Sequence, residues 1–267
     1  QYSHENVFHA GAHKHVYLME DCPAEAVRNN VLGTAAVACA ADRYGVDRFV
    51  AISTDKAVEP ISVMGASKRL CEILLTRLNE ESDTKFSVVR FGNVLGSSGS
   101  VLTIFQSQAA AGRSLTVTHR EATRYFMAVA EAAFLVLQAG ALGSGGCIFV
   151  LEMGEPVCIY GMAREFLELY GRDPDEPDAI RITSLSQGEK VHEHLCRFSE
   201  ELELTACPHV NRATPKGPAE VPWSHLEIIA RARRVADDPE AAAELLRAVH
   251  PRLVVDTTET VAATGGE

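Results

Sequence analysis

Apolar residues along this chain alternate between short continuous runs and longer segments with a helical period. The runs at 6–10, 48–53 and 85–91 are apolar and carry β-branched or aromatic residues, which is typical of buried strands. Helical patterns fill the intervals, from about Asp21 to Tyr44 and from about Val63 to Glu80. The alternation continues less regularly, with helices expected at about 101–112, 130–141 and 158–170 and strands at about 115–118, 147–151 and 180–183.

Strands that alternate with amphipathic helices predict an α/β fold in which a mostly parallel, doubly wound sheet is covered on both faces. The acidic, Pro-rich stretch at 171–178 indicates a connection, and residues 223–249 carry a helical period with mixed charge. The small residues at 261–267 indicate a frayed tail.

The composition is that of a folded chain with a substantial core. Its 267 residues are 46% hydrophobic and 23% charged, which excludes a disordered, collagen-like or disulfide-stapled protein. The net charge of −11 and the lack of a run of Lys and Arg disfavour nucleic acid as a partner. No apolar stretch reaches the about 20 residues that span a bilayer, and no signal peptide opens the chain, so we expect a cytoplasmic protein.

The cysteines and histidines of the chain lack the spacing of disulfide or metal-binding motifs. The seven cysteines are scattered without a C-x-x-C pair, which predicts buried free thiols in a reducing compartment. The pairs His13/His15 and His192/His194 lack a third ligand of suitable spacing, so no metal site is expected. We expect His192 and His194 to lie on a solvated helix.

A doubly wound sheet invites a search for the Gly-rich turn that places a dinucleotide on a helix N-terminus. Gly140, Gly143 and Gly146 have the spacing, but they follow a helix and precede a strand, so we interpret them as an ordinary loop. No other segment qualifies. Either the fold does not bind a dinucleotide, or its first strand and turn lie upstream of Gln1, an unusual first residue.

The segment after the strand at 48–53 carries the candidate chemistry. Thr54, Asp55 and Lys56 supply a hydroxyl, a carboxylate and an amine at the carboxyl end of a parallel strand, where ligands bind in such sheets. Met64 and Lys68 are four residues apart and therefore share one helix face. On spacing alone, a capped turn with a surface lysine and a core methionine remains an equal alternative.

Longer strings of residues point to a known family. ISTDKAV at 52–58 and VMGASKR at 63–69 resemble the nucleotide-sugar 4,6-dehydratases of the CapD-like polysaccharide biosynthesis family, within the extended short-chain dehydrogenases/reductases. Further similar strings follow in family order over about residues 5–196: VFHAGAHKHV at 7–16, NNVLGT at 29–34, FGNVLGSSGS at 91–100, TRYFM at 123–127 and GEK at 188–190.

The resemblance implies a Rossmann-like doubly wound sheet with a smaller α/β substrate-binding region. It divides the chain into a partial NAD(P)-binding domain at 1–92, a substrate-binding region at 93–215 interleaved with the last Rossmann elements, and a helical extension and tail at 216–267. In the family the Gly-rich turn precedes the segment that starts this chain. We therefore expect a cofactor domain that is truncated at its N-terminus, with impaired NAD(P) binding.

The implied reaction is internal redox and dehydration of a UDP-sugar, most often UDP-N-acetylglucosamine, for surface polysaccharide synthesis. Hydride leaves C4, water is eliminated across C5 and C6, and the hydride returns to C6. Asp55 is the candidate acid for the 6-hydroxyl and Lys56 the candidate base for C5, while Thr54 could hydrogen-bond the C4 oxygen. Both Asp55 and Lys56 would need pKa values moved toward neutrality by burial and by each other.

Met64 stands where most short-chain dehydrogenases have a tyrosine, and methionine cannot transfer a proton. In the family this residue marks the branch associated with retention at C5, so we favour a retaining dehydratase. The alternatives are the inverting dehydratase and a catalytically inactive fragment. Lys68 should still reach the nicotinamide ribose as a cationic donor.

Other residues are carried over from the family one at a time. For the cofactor these are Ala10, Gly11, Lys14, Asn30, Val94, Gly96 and Ser97, together with Lys68; for the sugar nucleotide they are Asn93, Ser98, Arg124 and Glu189. Asn29, Asn30 and Gly33 are poor residues for a helix interior, which indicates a local role. Ser186 and Gln187 replace the family's Arg-Pro, which puts nucleotide affinity in doubt. We expect a homo-oligomer.

Overall fold

The structure is a computed structural model that describes residues 5–97, 99–143, 145–217 and 221–249. Its strands are β1 (Asn6–His9), β2 (Arg48–Ile52), β3 (Lys85–Arg90), β4 (Asn93–Val94), β5 (Leu115–Val117), β6 (Thr123–Arg124), β7 (Phe126–Met127), β8 (Cys147–Leu151), β9 (Val157–Cys158), β10 (Ile180–Ile182), β11 (Glu200–Leu204) and β12 (Val210–Pro215). Its helices are α1 (Val16–Glu20), α2 (Pro23–Glu25), α3 (Gly33–Arg43), α4 (Val63–Asn79), α5 (Val101–Ala110), α6 (Val129–Leu142), α7 (Ile159–Leu169), α8 (His225–Val235) and α9 (Pro239–Arg247).

The main sheet has six strands in the order β1-β2-β3-β8-β12-β11. The first four are parallel, with Phe8 opposite Val50 and Val88 opposite Ile148 in the register. Strand β12 joins β8 antiparallel, and β11 pairs antiparallel with β12. Because these four strands are parallel, their carboxyl ends lie along one edge of the sheet. The predicted Rossmann-like α/β class is confirmed.

Helices cover both faces of this sheet. On one face Phe49 and Phe86 pack with Leu70 and Leu74 of α4 in the largest hydrophobic cluster. On the other face Val89 packs with Leu135 and its neighbours in α6. Alternate strand residues enter opposite clusters, as the period of a β-strand requires.

A smaller α/β unit lies beside the main sheet. Strands β5 and β10 pair parallel, with Leu115 opposite Ile180. Phe105 of α5, Leu167 of α7 and Leu115 form a separate hydrophobic cluster. This unit corresponds to the smaller α/β region that we expected for the substrate; the domain boundaries themselves remain a prediction.

The carboxyl-terminal helices pack on the first helical layer. Helix α8 contacts the π-helical turn at Ala26–Leu32, and both α8 and α9 contact α4. The helical period at 223–249 is therefore confirmed, whereas the predicted tail at 261–267 lies outside the described residues. Within the described ranges, the structure contains no helix of the length and apolarity needed to cross a membrane.

The predicted helix from Asp21 to Tyr44 is interrupted. Helices α2 and α3 are joined by the π-helical turn at Ala26–Leu32, and α1 forms separately before Asp21. Asn30 lies in this turn, fully buried, with its amide turned toward other segments. A local role for the asparagine is therefore confirmed.

Two other predictions were wrong in detail. His192 and His194 are not helical, because residues 191–194 run beside β6, where Thr123 and His192 form a β-bridge. Of the seven cysteines, all free, Cys71 is buried whereas Cys22, Cys39 and Cys158 are exposed. Apolar sequence neighbours do not bury a thiol when its own position on the helix or strand faces solvent.

The three glycines belong to a helix-to-strand connection, as predicted, except that Gly140 lies in the last turn of α6. Helix α6 ends at Leu142, β8 begins at Cys147, and Gly145 and Gly146 adopt φ angles of 77° and 67°. Strands β11 and β12 were not predicted, because β11 reads Glu-Glu-Leu-Glu-Leu and carboxylates are atypical of strands. The buried position of Glu200 in β11 is explained below by its contact with a buried arginine.

Candidate active site

Two neighbouring cavities open at the carboxyl ends of β1, β2 and β3. The inner cavity, of about 280 Å³, is lined by the segments that follow these three strands and by the first turns of α4. The outer cavity, of about 340 Å³, lies against the smaller α/β unit. Lys14, Asn93 and Ser97 line both cavities, so the two form one cleft.

Thr54, Asp55 and Lys56 form a single hydrogen-bonded group at the inner cavity. A 3₁₀ turn at Asp55–Ala57 follows β2, and the Thr54 hydroxyl accepts from the Lys56 amide. The same hydroxyl donates to Asp55 Oδ1 at 2.8 Å, and Lys56 Nζ donates to that oxygen at 3.0 Å. Thr54 and Lys56 line the cavity, and Asp55 lies behind them.

The Asp55 carboxylate is completely buried. Its Oδ1 holds both neighbours, whereas no described residue hydrogen-bonds Oδ2. Oδ2 faces Gly92, where a Cβ atom would lie 3.4 Å from it and 2.8 Å from Tyr125 Cβ. A buried polar oxygen without a donor costs free energy that a hydrogen bond from a ligand would offset.

The electrostatics of Lys56 differ from the expectation for a base. Burial lowers the pKa of its ammonium, but the carboxylates of Asp55 and Glu193 outweigh burial, so its pKa lies above the usual lysine value. The prediction that its pKa moves toward neutrality is therefore wrong for the site without substrate. Two nearby anions, one of them far away in the sequence, stabilise the charged form.

Helix α4 brings Met64 and Lys68 to the same cavity. Ser62 caps the helix by accepting from the Gly65 amide at 3.0 Å. A Cβ on Gly65 would overlap the Lys56 carbonyl oxygen, so glycine allows the helix to approach the 3₁₀ turn closely. Met64 and Lys68 both line the inner cavity, as their i, i+4 spacing predicts.

Lys68 is a buried cation, 7% exposed, with no hydrogen-bond or ion-pair partner among the described residues. Burial and the charge of Lys68 both lower the pKa of His9, which favours a neutral imidazole beside it. An ammonium that lines a cavity without a protein anion suits a ligand with oxygen acceptors, such as a ribose. The residues at this position therefore fit a nicotinamide cofactor.

Asn30 fastens the loop after β1. Its Oδ1 accepts from the His13 amide at 2.7 Å, and its Nδ2 donates to the His13 carbonyl and to Ser67 Oγ. These bonds hold Ala10, Ala12, His13 and Lys14 along the cavity wall. Asn30 itself does not line the cavity, so it supports the wall of the inner cavity from behind.

Arg124 lines the outer cavity with its guanidinium already engaged. It donates to the carbonyls of Thr123 and Val191 and to Glu189 Oε1 at 2.6 Å. Glu189 also accepts from Thr118 Oγ1. The two residues predicted to bind the sugar nucleotide thus form an ion pair that joins β6 to the segment at 188–191.

The remaining predicted residues differ in their position relative to the two cavities. Val94 lines the inner cavity and Asn93 and Ser97 line both, whereas Gly11 and Gly96 lie in the adjoining loops without lining either. Gly96 has a φ of 74°, so it supplies the turn after β4. Ser98 lies outside the described residues.

Some residues of this site were missed by the sequence reasoning. Glu193 lies 4.0 Å from Lys56 Nζ, and His15 lines the outer cavity. Glu20 is buried and accepts a hydrogen bond from the Val63 amide. Burial raises its pKa to about 7, and this hydrogen bond offsets part of the rise. The GEK string at 188–190 was the available signal for Glu193, which follows three residues later.

An ion network supports the site from beneath. Ser53 lines the inner cavity and donates to Glu72 Oε1 at 2.7 Å. Arg90, fully buried, donates to Glu72 and to Glu200 of β11, with all four bonds between 2.7 and 3.0 Å. Glu200 is therefore buried in β11 by its pairing with Arg90. No group of His, Cys, Asp and Glu that could hold a metal ion occurs in the part of the chain that the structure describes.

Comparison with known proteins identifies the family of this chain. The model of a family described as polysaccharide biosynthesis protein matches residues 1–215. This chain belongs to that family. Capsular polysaccharide biosynthesis protein CapD of Staphylococcus aureus is 53% identical over 195 residues, which are 73% of this chain and 32% of CapD. The chain thus spans about a third of the length of this family member.

Two solved structures share the fold of this chain. Pen from Bacillus thuringiensis is 34% identical with a TM-score of 0.67, covering 72% of this chain and 60% of Pen. DesIV, a dTDP-glucose 4,6-dehydratase from Streptomyces venezuelae solved with NAD bound, has a TM-score of 0.65 at 18% identity. That match covers 72% of this chain and 64% of DesIV, and it shows the fold alone.

Proposed function

We propose that this chain carries the active site of a nucleotide-sugar 4,6-dehydratase that acts on UDP-N-acetylglucosamine with retention at C5. The supporting observation is the inner cavity itself, in which Lys56 and Met64 stand together beside the buried Asp55. Because Met64 cannot exchange a proton, the acid and base of the reaction have to come from the Thr54-Asp55-Lys56 group.

The Asp55–Lys56 hydrogen bond can set the protonation states that dehydration needs. Transfer of one proton from Lys56 Nζ to Asp55 Oδ1, across 3.0 Å, leaves a neutral amine and a carboxylic acid. The amine then takes the C5 proton, and the acid protonates the 6-hydroxyl as it leaves as water. Thr54 shares Asp55 Oδ1, which places its hydroxyl beside the same centre.

NAD(P), when bound, supplies the acceptor and donor of the C4 hydride. Lys68 and the wall from Ala10 to Lys14 would hold it at the inner cavity. The sugar nucleotide would occupy the outer cavity, with Asn93 at the boundary and Arg124 toward the diphosphate.

The conversion of Asp55→Asn tests this assignment. Asparagine keeps the size of the side chain but cannot donate a carboxylic proton, so the variant should bind UDP-N-acetylglucosamine and fail to eliminate water. Mass spectrometry of the sugar nucleotide measures the loss of water, and circular dichroism checks the fold. Near-normal turnover in the folded variant would remove Asp55 from the acid role. The configuration of the product at C5, determined by NMR, separates retention from inversion.

A further inference from the structure

Glu193 is a buried carboxylate that the assigned chemistry leaves unused. Its side chain is 3% exposed, and Oε2 has no hydrogen-bond donor among the described residues. It belongs to the irregular segment after Lys190, which is tied to β6 by the Thr123–His192 bridge. A buried carboxylate oxygen without a donor is stabilised by nearby cations.

Two ammonium groups flank this carboxylate. Glu193 Oε1 lies 4.0 Å from Lys56 Nζ, and Oε2 lies 3.5 Å from Lys190 Nζ. Lys190 in turn donates to the Val58 carbonyl at 2.6 Å, directly after the 3₁₀ turn. Glu193 and Lys190 therefore join the segment at 188–193 to the turn that carries the candidate acid and base.

Several groups face the Lys56 ammonium from separate elements. Asp55 Oδ1 accepts from it at 3.0 Å, and Asn93 Oδ1, from β4, lies at 3.5 Å. Arg124 of β6 is the cation that opposes its charge. Glu193 adds a second full negative charge at a distance beyond a direct hydrogen bond, so it acts on Lys56 through charge.

We propose that Glu193 is a positioning residue for Lys56: its carboxylate holds the lysine in its charged form at the mouth of the inner cavity. Any effect of Glu193 on catalysis depends on the proposed function. The electrostatic coupling between Glu193 and Lys56 does not depend on it. The direction of the Lys56 pKa, raised by Asp55 and Glu193 against burial, agrees with this role.

The test is the titration of Lys56 in the complete chain, without substrate. Acetic anhydride labels only the neutral amine, so the pH midpoint of Lys56 acetylation, read by mass spectrometry, reports its pKa. In the wild type the midpoint should lie above about 10.4, the ordinary lysine value. Glu193→Gln should lower it by about one unit, which means about tenfold more neutral amine at a fixed pH.

Glu152→Gln is the matched control. Glu152 is 57% exposed and pairs with His209 at 2.8 Å, away from the cleft, so its removal should leave the Lys56 midpoint unchanged. Glu193→Asp retains the charge one methylene further away and should restore most of the wild-type midpoint. A merely structural role for Glu193 would not distinguish aspartate from glutamine in this titration.

Each outcome decides the proposal. An unchanged Lys56 midpoint in folded Glu193→Gln would overturn it. If that variant does not fold, the wild-type midpoint decides, because a value at or below about 10.4 contradicts a lysine held charged by two carboxylates. A failed proposed function would show differently, as absent dehydration with the Lys56 titration intact.

Discussion

The substitution Glu72→Gln removes one charge from the buried network beneath the cleft. Glu72 is 1% exposed and accepts two hydrogen bonds from Arg90, each 2.7 Å long, and one from Ser53. Glutamine has nearly the same shape but leaves the arginine with Glu200 as its remaining direct carboxylate partner. The substitution therefore tests the charge and leaves the volume of the core unchanged.

The size of the effect follows from the pKa of Glu72. Burial alone would raise this pKa, but Arg90 and Arg69 outweigh burial and lower it from 4.5 to about 2. A difference of roughly 2.5 units corresponds to about 3 kcal/mol at 1.36 kcal/mol per unit. Breaking a buried ion pair typically costs about 3–5 kcal/mol, which agrees. We expect Glu72→Gln to lower the free energy of unfolding by about 3 kcal/mol at pH 7.

Urea unfolding followed by circular dichroism measures this loss. Glu244→Gln is the control, because Glu244 is 75% exposed in its pair with Arg247 and should change stability by less than about 1 kcal/mol. The Glu72 contribution is present above its unfolded pKa of 4.5 and is lost as pH falls through about 2. The free energies of unfolding of the wild type and of Glu72→Gln should therefore converge in acid. Equal losses for Glu72→Gln and the control at pH 7 would refute this account of the network.

Four further variants probe the cleft and the residues that surround it. Glu20 has a folded pKa of about 7, raised from 4.5, so its ionisation weakens the fold as pH rises through this range; Glu20→Gln should flatten this part of a pH-dependent melting curve. Asn30→Ala should cost about 1–3 kcal/mol in urea unfolding, because it removes hydrogen bonds to the half-buried His13 amide and carbonyl and to the buried Ser67 hydroxyl. Arg124→Met should weaken UDP binding at least about tenfold in calorimetry, whereas Glu189→Gln, which releases the Arg124 guanidinium, should not.

Local patterns predicted much of this structure. The strand at Cys147–Leu151 was expected with the observed bounds, and the helix-to-strand connection before it was expected too, although Gly140 lies in α6. The shared position of Met64 and Lys68 also followed from sequence, since i, i+4 spacing fixes a helix face. The resemblance to the family then indicated Thr54, Asp55 and Lys56 as the candidate catalytic residues.

The features that escaped prediction depend on distant residues. Strand β11 has a carboxylate-rich sequence, and it belongs to the sheet because Glu200 meets Arg90, which is far away in the chain. The pKa of Lys56 could not be foreseen because Glu193 reaches it from another segment. A local role was expected for Asn30, but its partners Ser67 and His13 belong to other segments, which no helical period reveals.

The central claim is that this cleft dehydrates a nucleotide sugar without a proton-transferring residue at position 64. It is tested most directly by incubating the native protein with UDP-N-acetylglucosamine and NAD(P)⁺ and determining the product by NMR. The account predicts a 4-keto-6-deoxy sugar nucleotide with its C5 configuration retained, formed by the wild type and not by Asp55→Asn. An unreacted sugar, with cofactor and substrate both shown to be bound, would contradict it.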